Sequence, residues 1–234
     1  MPMLLEDFDF LITPAPSDAK AIYDHVADRY EQFRVLWTIL AGNAVERPMV
    51  EELNDILTPG LRVLDAGCGT GTLSRRMKAI EPDIRLTLLD FSATMLGHTR
   101  DIQASRVQAS VLNLPFPDNA FDIVVSSWVI ETVPDPINAV MEYMRVINDT
   151  GYVLYTFCSL PQGWVSRAGT ALLRTTIEHR FGGHFLPPKQ IPWHDCERSF
   201  RLRSHAGLTT FVSLRKCCTV SEGILPKATA HTTA

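Results

Sequence analysis

The feature that most constrains this chain is Val63-Leu64-Asp65-Ala66-Gly67-Cys68-Gly69-Thr70-Gly71, an apolar strand-like run that passes directly into G-x-G-x-G. Glycines at alternate positions permit a tight turn and let a ligand approach backbone that a Cβ would obstruct. Leu73, Met77 and Ile80 then follow at helical spacing, which predicts a helix from Thr72 to Ile80. Strand, glycine turn and helix in this order begin a β-α-β unit, whose ligand sits beyond the carboxyl end of the strand. Asp90, nineteen residues past Gly71, ends a second apolar run. A carboxylate there can accept two hydrogen bonds from ribose hydroxyls. A glycine turn alone is also an ordinary strand–helix connection, but the flanking elements and Asp90 together favour a nucleoside site. The dinucleotide pattern G-x-G-x-x-G needs glycine at position 72, where Thr72 stands, and this counts against NAD or FAD.

The rest of the chain continues the alternation. Arg62 to Asp65, Leu86 to Asp90, Val107 to Ala109, Phe121 to Ser126 and Tyr152 to Phe157 read as five strands. Between them, Ser92 caps a helix running to about Gln103, and Asp135-Pro136 supplies an N-cap and first-turn proline for a helix carrying Ile137, Val140, Met144 and Ile147. The expected fold is therefore α/β, Rossmann-like and doubly wound, with a mostly parallel sheet. Two helices precede it: Ser17 to Leu40, ended by Gly42 as a C′ residue, and Pro48 to Leu57. Beyond the fifth strand come a helix over Ser166 to Arg180, another over Asp195 to His205 stopped by Gly207, and a last strand from Leu208 to Leu214. The expected organisation is an N-terminal helical cap (1–60), a cofactor-binding core (61–157), an insert that serves as acceptor lid (158–193), and a C-terminal helix and strand that complete the core (194–234).

The stretch from Leu61 to about Phe157 resembles class I S-adenosylmethionine-dependent methyltransferases, in particular the small-molecule group sharing LDxGCGTG and LPFPDxxFD. Here these read Leu64 to Gly71, and Leu114-Pro115-Phe116-Pro117-Asp118-Asn119-Ala120-Phe121-Asp122 leading on to Pro134-Asp135-Pro136. The resemblance implies S-adenosyl-L-methionine as cofactor and a small-molecule methyl acceptor. It implies that Asp65, Gly67, Cys68, Gly69 and Gly71 form the loop around the methionine end, with Asp65 balancing the ammonium. Asp90 would hold the ribose, with Phe91 and Met95 against the adenine, and Ser126 would put backbone near the methionine moiety. Many relatives carry an acid where Ser110 stands. Ser110 and the backbone of Val111 would meet the adenine amino group, a serine accepting more weakly than a carboxylate.

A sulfonium donor is already reactive, so alignment and desolvation can supply most of the acceleration and no side-chain base is obligatory. A base is needed when the acceptor must lose a proton early. Glu131, just after the fourth strand, and His179 and His184, which flank Phe181-Gly182-Gly183, are the candidate catalytic residues. Each also has a structural reading, as a buried or a surface polar group. The acceptor pocket is expected in the insert, where Trp164, Phe181, Phe185 and Trp193 alternate with His179, Arg180 and His184. The alternative is that the insert packs on a neighbouring subunit of a homo-oligomer. Tyr23, Tyr30, Phe33 and Trp37 form an aromatic stripe on the first helix that fits either core or lid.

Composition narrows the partners. A net charge of −4 and a pI near 6.0 disfavour nucleic acid. No run is long and apolar enough to suggest a membrane span, and the acidic start (Glu6, Asp7, Asp9) is unlike a secretory signal. Five cysteines without C-x-x-C spacing argue against disulfides or structural zinc, no metal being expected even at His194-Asp195-Cys196, and fit a cytoplasmic location. Aminopropyl transfer on the same scaffold and a binding subunit without turnover are the competing readings.

Overall fold

The computed structural model describes residues 37, 42–161, 163–181, 183–187, 199–203 and 207–216. Among these, the strands are β1 (Arg62–Ala66), β2 (Arg85–Asp90), β3 (Ser105–Gln108), β4 (Phe121–Ser127), β5 (Ile147–Cys158), β6 (Ser199–Arg203) and β7 (Thr209–Arg215). They form one sheet in the order β3-β2-β1-β4-β5-β7-β6. β1 to β5 pair in parallel, while β7 runs antiparallel to both β5 and β6. The order reverses direction at β1 and β4. The crevice beyond their carboxyl ends is the place where such a sheet takes its ligand.

The helices are α1 (Asn43–Ile56), α2 (Thr72–Ile80), α3 (Ala93–Gly97), α4 (Pro136–Val146), α5 (Trp164–Gly169) and α6 (Ala171–Phe181). The central strands read as apolar runs because both faces are covered. On one side α4 buries Ala139, Val140, Tyr143 and Val146 against Leu64, Val124, Val153 and Tyr155. On the other, Val45, Met49 and Leu53 of α1 and Met77 of α2 pack on Val63, Leu88, Val125 and Phe211. Asp135 caps α4 by accepting from Asn138 N, with Pro136 in its first turn, and Ser92 caps α3 by accepting from Met95 N.

The LPFPD segment proves to be a structural clamp. Arg145 donates to the carbonyls of Leu114 and Phe116, to Asp118 and to Glu142, and Leu114 N in turn donates to Glu142. Asp122 holds the start of β4 to β1 by accepting from Arg62 through backbone N, Nε and Nη2 at 2.7, 3.1 and 2.8 Å. Its carboxyl is consequently held below the usual carboxylate range.

Several expectations are corrected. Gly42 does not stop a helix: its dihedrals are right-handed helical, and α1 starts at Asn43 with Pro48 inside it, five residues before the expected start. Burial of Val45, Met49 and Leu53 on one face carries the helix across the proline. The expected helix over Asp195 to His205 is contradicted by β6, which pairs with β7. Phe200 and Leu202 alternate with Ser199, Arg201 and Arg203, a period of two that belongs to a strand. The helix after Ser92 ends at Gly97 and continues only as turns, and the insert helix is divided at Thr170 into α5 and α6. The helix expected from Ser17 lies outside the described residues except Trp37, which is helical and buried.

Candidate functional site

β1 delivers the chain into the glycine loop, where Gly67, Gly69 and Gly71 have φ of 79°, 52° and 85°. Non-glycine residues rarely adopt this region, so three left-handed steps within five residues explain the three glycines. At Gly67 there is a second reason: a Cβ would come within 2.4 Å of Val129 Cγ2. The loop is fastened to β2. Gly67 N and Cys68 N donate to Leu89 O at 2.7 and 2.9 Å, and Gly69 N donates to Asp90 Oδ2 at 2.8 Å. The other oxygen of Asp90 accepts from Ser92 N at 2.9 Å.

Two cavities open around this loop and share Gly67, Gly69, Ser127 and Trp128 in their walls. The larger, about 220 Å³, is lined by Asp90, Phe91, Met95, Ala109 to Leu112, Val129 and Thr132 to Pro134, an apolar slot with one carboxylate at its edge. The smaller, about 50 Å³, brings the charged side chains of Asp65, Glu46 and Arg76 together with Thr70 and Thr72 in a wall that also includes Met49, Cys68 and Leu73. It lies beside the N-terminal turn of α2, the positive end of the helix dipole, which favours an anion.

The smaller cavity is primed for a cation as well. Asp65 is buried, its carboxylate accepts from Ser74 Oγ, and burial with Asp90 nearby raises its pKa to about 7. A bound ammonium would offset that burial cost. Glu46 is also buried. It accepts from the indole Nε1–H of Trp128 at 2.9 Å and lies 3.6 Å from Arg76 Nη1. Burial holds the Cys68 thiol protonated, so it acts as an apolar filler in the wall.

Residues 64–155 match a family model described as a methyltransferase domain. This segment, about two fifths of the chain, is similar to methyltransferase domains. Among curated proteins, a malonyl-(acyl-carrier protein) O-methyltransferase of Serratia marcescens is 35% identical over 155 residues, covering 64% of this chain and 59% of its own length. The chain thus spans about three fifths of that relative. Among solved structures, a SAM-dependent methyltransferase of Thermotoga maritima, described as a possible histamine N-methyltransferase, superposes with a TM-score of 0.56 at 17% identity, covering 83% of this chain and 98% of that one. The cyclase SpnF superposes with a TM-score of 0.60 at 16% identity, covering 87% and 98%. These two likenesses concern the fold.

The sequence-predicted residues separate into groups. Asp65, Gly67, Cys68, Gly69, Asp90, Phe91, Met95, Ser110 and Val111 all line one cavity or the other. Gly71 lines neither. It is the left-handed residue that starts α2, and a Cβ there would meet Ile102 Cδ1 at 2.6 Å. Ser126 is buried with its hydroxyl between Ala66 O and Tyr143 Oη, and the adjoining cavity wall comes from Ser127 and Trp128. Glu131 is buried behind the wall: Oε1 accepts from Cys158 N at 3.2 Å, and Oε2 has no hydrogen-bond partner among the described residues. Burial raises its pKa to about 7. The insert rests on it, since His184 N donates to Glu131 O at 2.8 Å and a Cβ on Gly183 would lie 3.6 Å from Glu131 Cγ.

The His184 side chain is exposed. His179 belongs to α6, but its side chain, those of Arg180 and Phe181, and Trp193 lie outside the described set. Trp164 is 82% exposed and therefore forms no pocket wall, contrary to expectation. Phe185 is buried in a cluster with Trp37, Cys158, Ile177 and Leu208, against which Trp128 packs. Glu46, Arg76 and Trp128 were not expected in the site. Glu46 precedes the expected start of its helix, and Trp128 follows a strand without any motif of its own. The aromatic residue directly after Ser126-Ser127 was the one available signal.

Proposed function

We propose that the chain is an S-adenosyl-L-methionine-dependent methyltransferase acting on a small-molecule acceptor by direct methyl transfer. The observation that carries this is the joined pair of cavities: an apolar slot edged by Asp90 and a smaller recess that holds the charged Asp65 and Arg76, meeting at Gly67 and Gly69. That division fits a ligand with a nucleoside at one end and a zwitterionic amino acid at the other. Asp90 is the candidate ribose acceptor. Phe91, Met95 and Val111 offer the adenine an apolar contact, and Ser110 offers it a hydroxyl. Asp65 suits an ammonium, and Arg76 with the α2 N-terminus suits a carboxylate.

When bound, the cofactor supplies an electrophilic methyl group on a positively charged sulfur. The chain's part is to bind, align and keep water out. Neither cavity is lined by Glu131 or His184, which supports transfer by alignment without an obligatory side-chain base. The insert is the candidate acceptor lid. Its Gly183 to Phe185 segment packs on Glu131 and on the Trp37 cluster, so it adjoins both the cofactor crevice and the N-terminal cap. The relative named for a malonyl-(acyl-carrier protein) acceptor supports a small carboxylic or thioester-linked substrate among the classes to be tried first. A cytoplasmic location and a homo-oligomeric state are carried forward on the same footing.

Calorimetric titration with S-adenosyl-L-methionine, followed by incubation of the protein with methyl-labelled cofactor and a metabolite extract, tests the reading. Binding and a labelled small product are expected. Binding without product in any extract would instead make the chain a cofactor-binding accessory subunit, and absence of binding would refute the assignment of the cavities.

A further inference from the structure

Trp128 is unusual on three independent counts. Its φ is 62°, a left-handed backbone that a bulky side chain occupies only when its surroundings hold it there. Among the described residues it is the one aromatic side chain common to the walls of both cavities. Its ring is also fixed from two directions: Glu46 Oε1 accepts from its Nε1–H at 2.9 Å, and the Trp37 ring stands edge-on at 5.5 Å and 83°. Backbone strain at a cavity junction, locked by a buried carboxylate 82 positions away in the chain, marks a side chain that is being aimed.

Resting on the cofactor reading above, the covalent order of that ligand places its sulfur between the nucleoside and the amino acid. Its sulfur therefore belongs at the junction of the larger and smaller cavities. We propose that Trp128 is a specificity-determining residue whose indole face reads the positive charge of the sulfonium, favouring the methyl donor over the neutral thioether left after transfer. Indole is the most effective aromatic partner for a cation. Glu46 is the positioning residue: it fixes the ring through the indole N–H and ties that wall to α1. Discrimination of this kind would limit inhibition by the spent cofactor, which otherwise fills the same cavities.

The test is the ratio of dissociation constants for S-adenosyl-L-homocysteine and S-adenosyl-L-methionine, measured by calorimetry on wild type, W128F, W128L, E46A and E46Q. Because the ratio is taken within one preparation, a loss of folded material cancels. Wild type is expected to favour the methionine compound. W128L should lower the ratio about five-fold or more, while W128F, which keeps a ring, should lose less. E46A should lower it part-way, and E46Q should keep it, since the amide oxygen still accepts from the indole. An unchanged ratio in W128L overturns the proposal. So does an E46Q loss equal to that of W128L, because the discrimination would then reside in the charge of Glu46. Wild type binding neither compound would overturn the cofactor reading itself, and this inference with it.

Discussion

The burial of Glu131 sets a pH dependence of stability that can be worked out and checked. The carboxylate is buried, Oε1 accepts from the Cys158 N–H, and Oε2 has no hydrogen-bond partner among the described residues. Desolvation therefore dominates and raises the pKa from 4.5 to about 7. An acid whose pKa is higher when folded than when unfolded binds more protons in the native state between those values. Its stabilising contribution is fully present below pH 4.5 and is lost as pH rises through about 7. The interval, at about 1.4 kcal/mol per pH unit, amounts to roughly 3 kcal/mol as an upper bound, since relaxation around the charge reduces it. Glutamine is isosteric and still accepts from Cys158 N, so Glu131→Gln should be nearly neutral at pH 4.5. At pH 8.5 it should be more stable than wild type by about 1–3 kcal/mol. Urea denaturation of both proteins across that range, with the slope checked for constancy, measures the difference. Parallel profiles would refute the reasoning, because they would mean that the folded protein pays nothing to ionise Glu131.

Other perturbations test the loop. Asp65→Asn should also gain stability at high pH, since Asp65 is likewise raised to about 7, yet should weaken S-adenosyl-L-methionine binding by about ten-fold or more; calorimetry and denaturation together read the opposed effects. Asp90→Ala removes the acceptor for both Gly69 N and Ser92 N and should cost about 2–4 kcal/mol of stability besides cofactor affinity, while Asp90→Asn retains one acceptor oxygen and should lose about half as much. Gly71→Ala should cost about 2–3 kcal/mol in thermal or chemical denaturation, from left-handed backbone plus the Ile102 contact. Gly60→Ala, with a φ of 83° but open space around it, should cost only about 1 kcal/mol, and equal losses at the two sites would refute the steric contribution.

What the sequence revealed and what it hid follow from how far each signal reaches. The glycine loop, Asp90, the Asp135-Pro136 start and the five parallel strands are local patterns, set by turn geometry, capping and hydrophobic period within a few residues of each other. They survive in the structure with only their ends moved. The LPFPD run was equally visible, but its work was not: Arg145, which clamps it, belongs to the next helix and carries no motif. β6 is not legible locally, because a short strand with charged alternate residues resembles one face of a helix until its partner β7 is known. Trp128 was hidden more deeply. Nothing in Ser127-Trp128-Val129 announces a left-handed backbone, and the carboxylate that receives its N–H stands on α1, outside the matched domain. The glycine loop and the strand before it are thus written in contiguous sequence. The features that would distinguish this chain from others of its fold arise where the core meets the N-terminal helix and the insert. The same fold is shared by a cyclase, so those junctions, more than the glycine loop, are where mutations should alter what the site does.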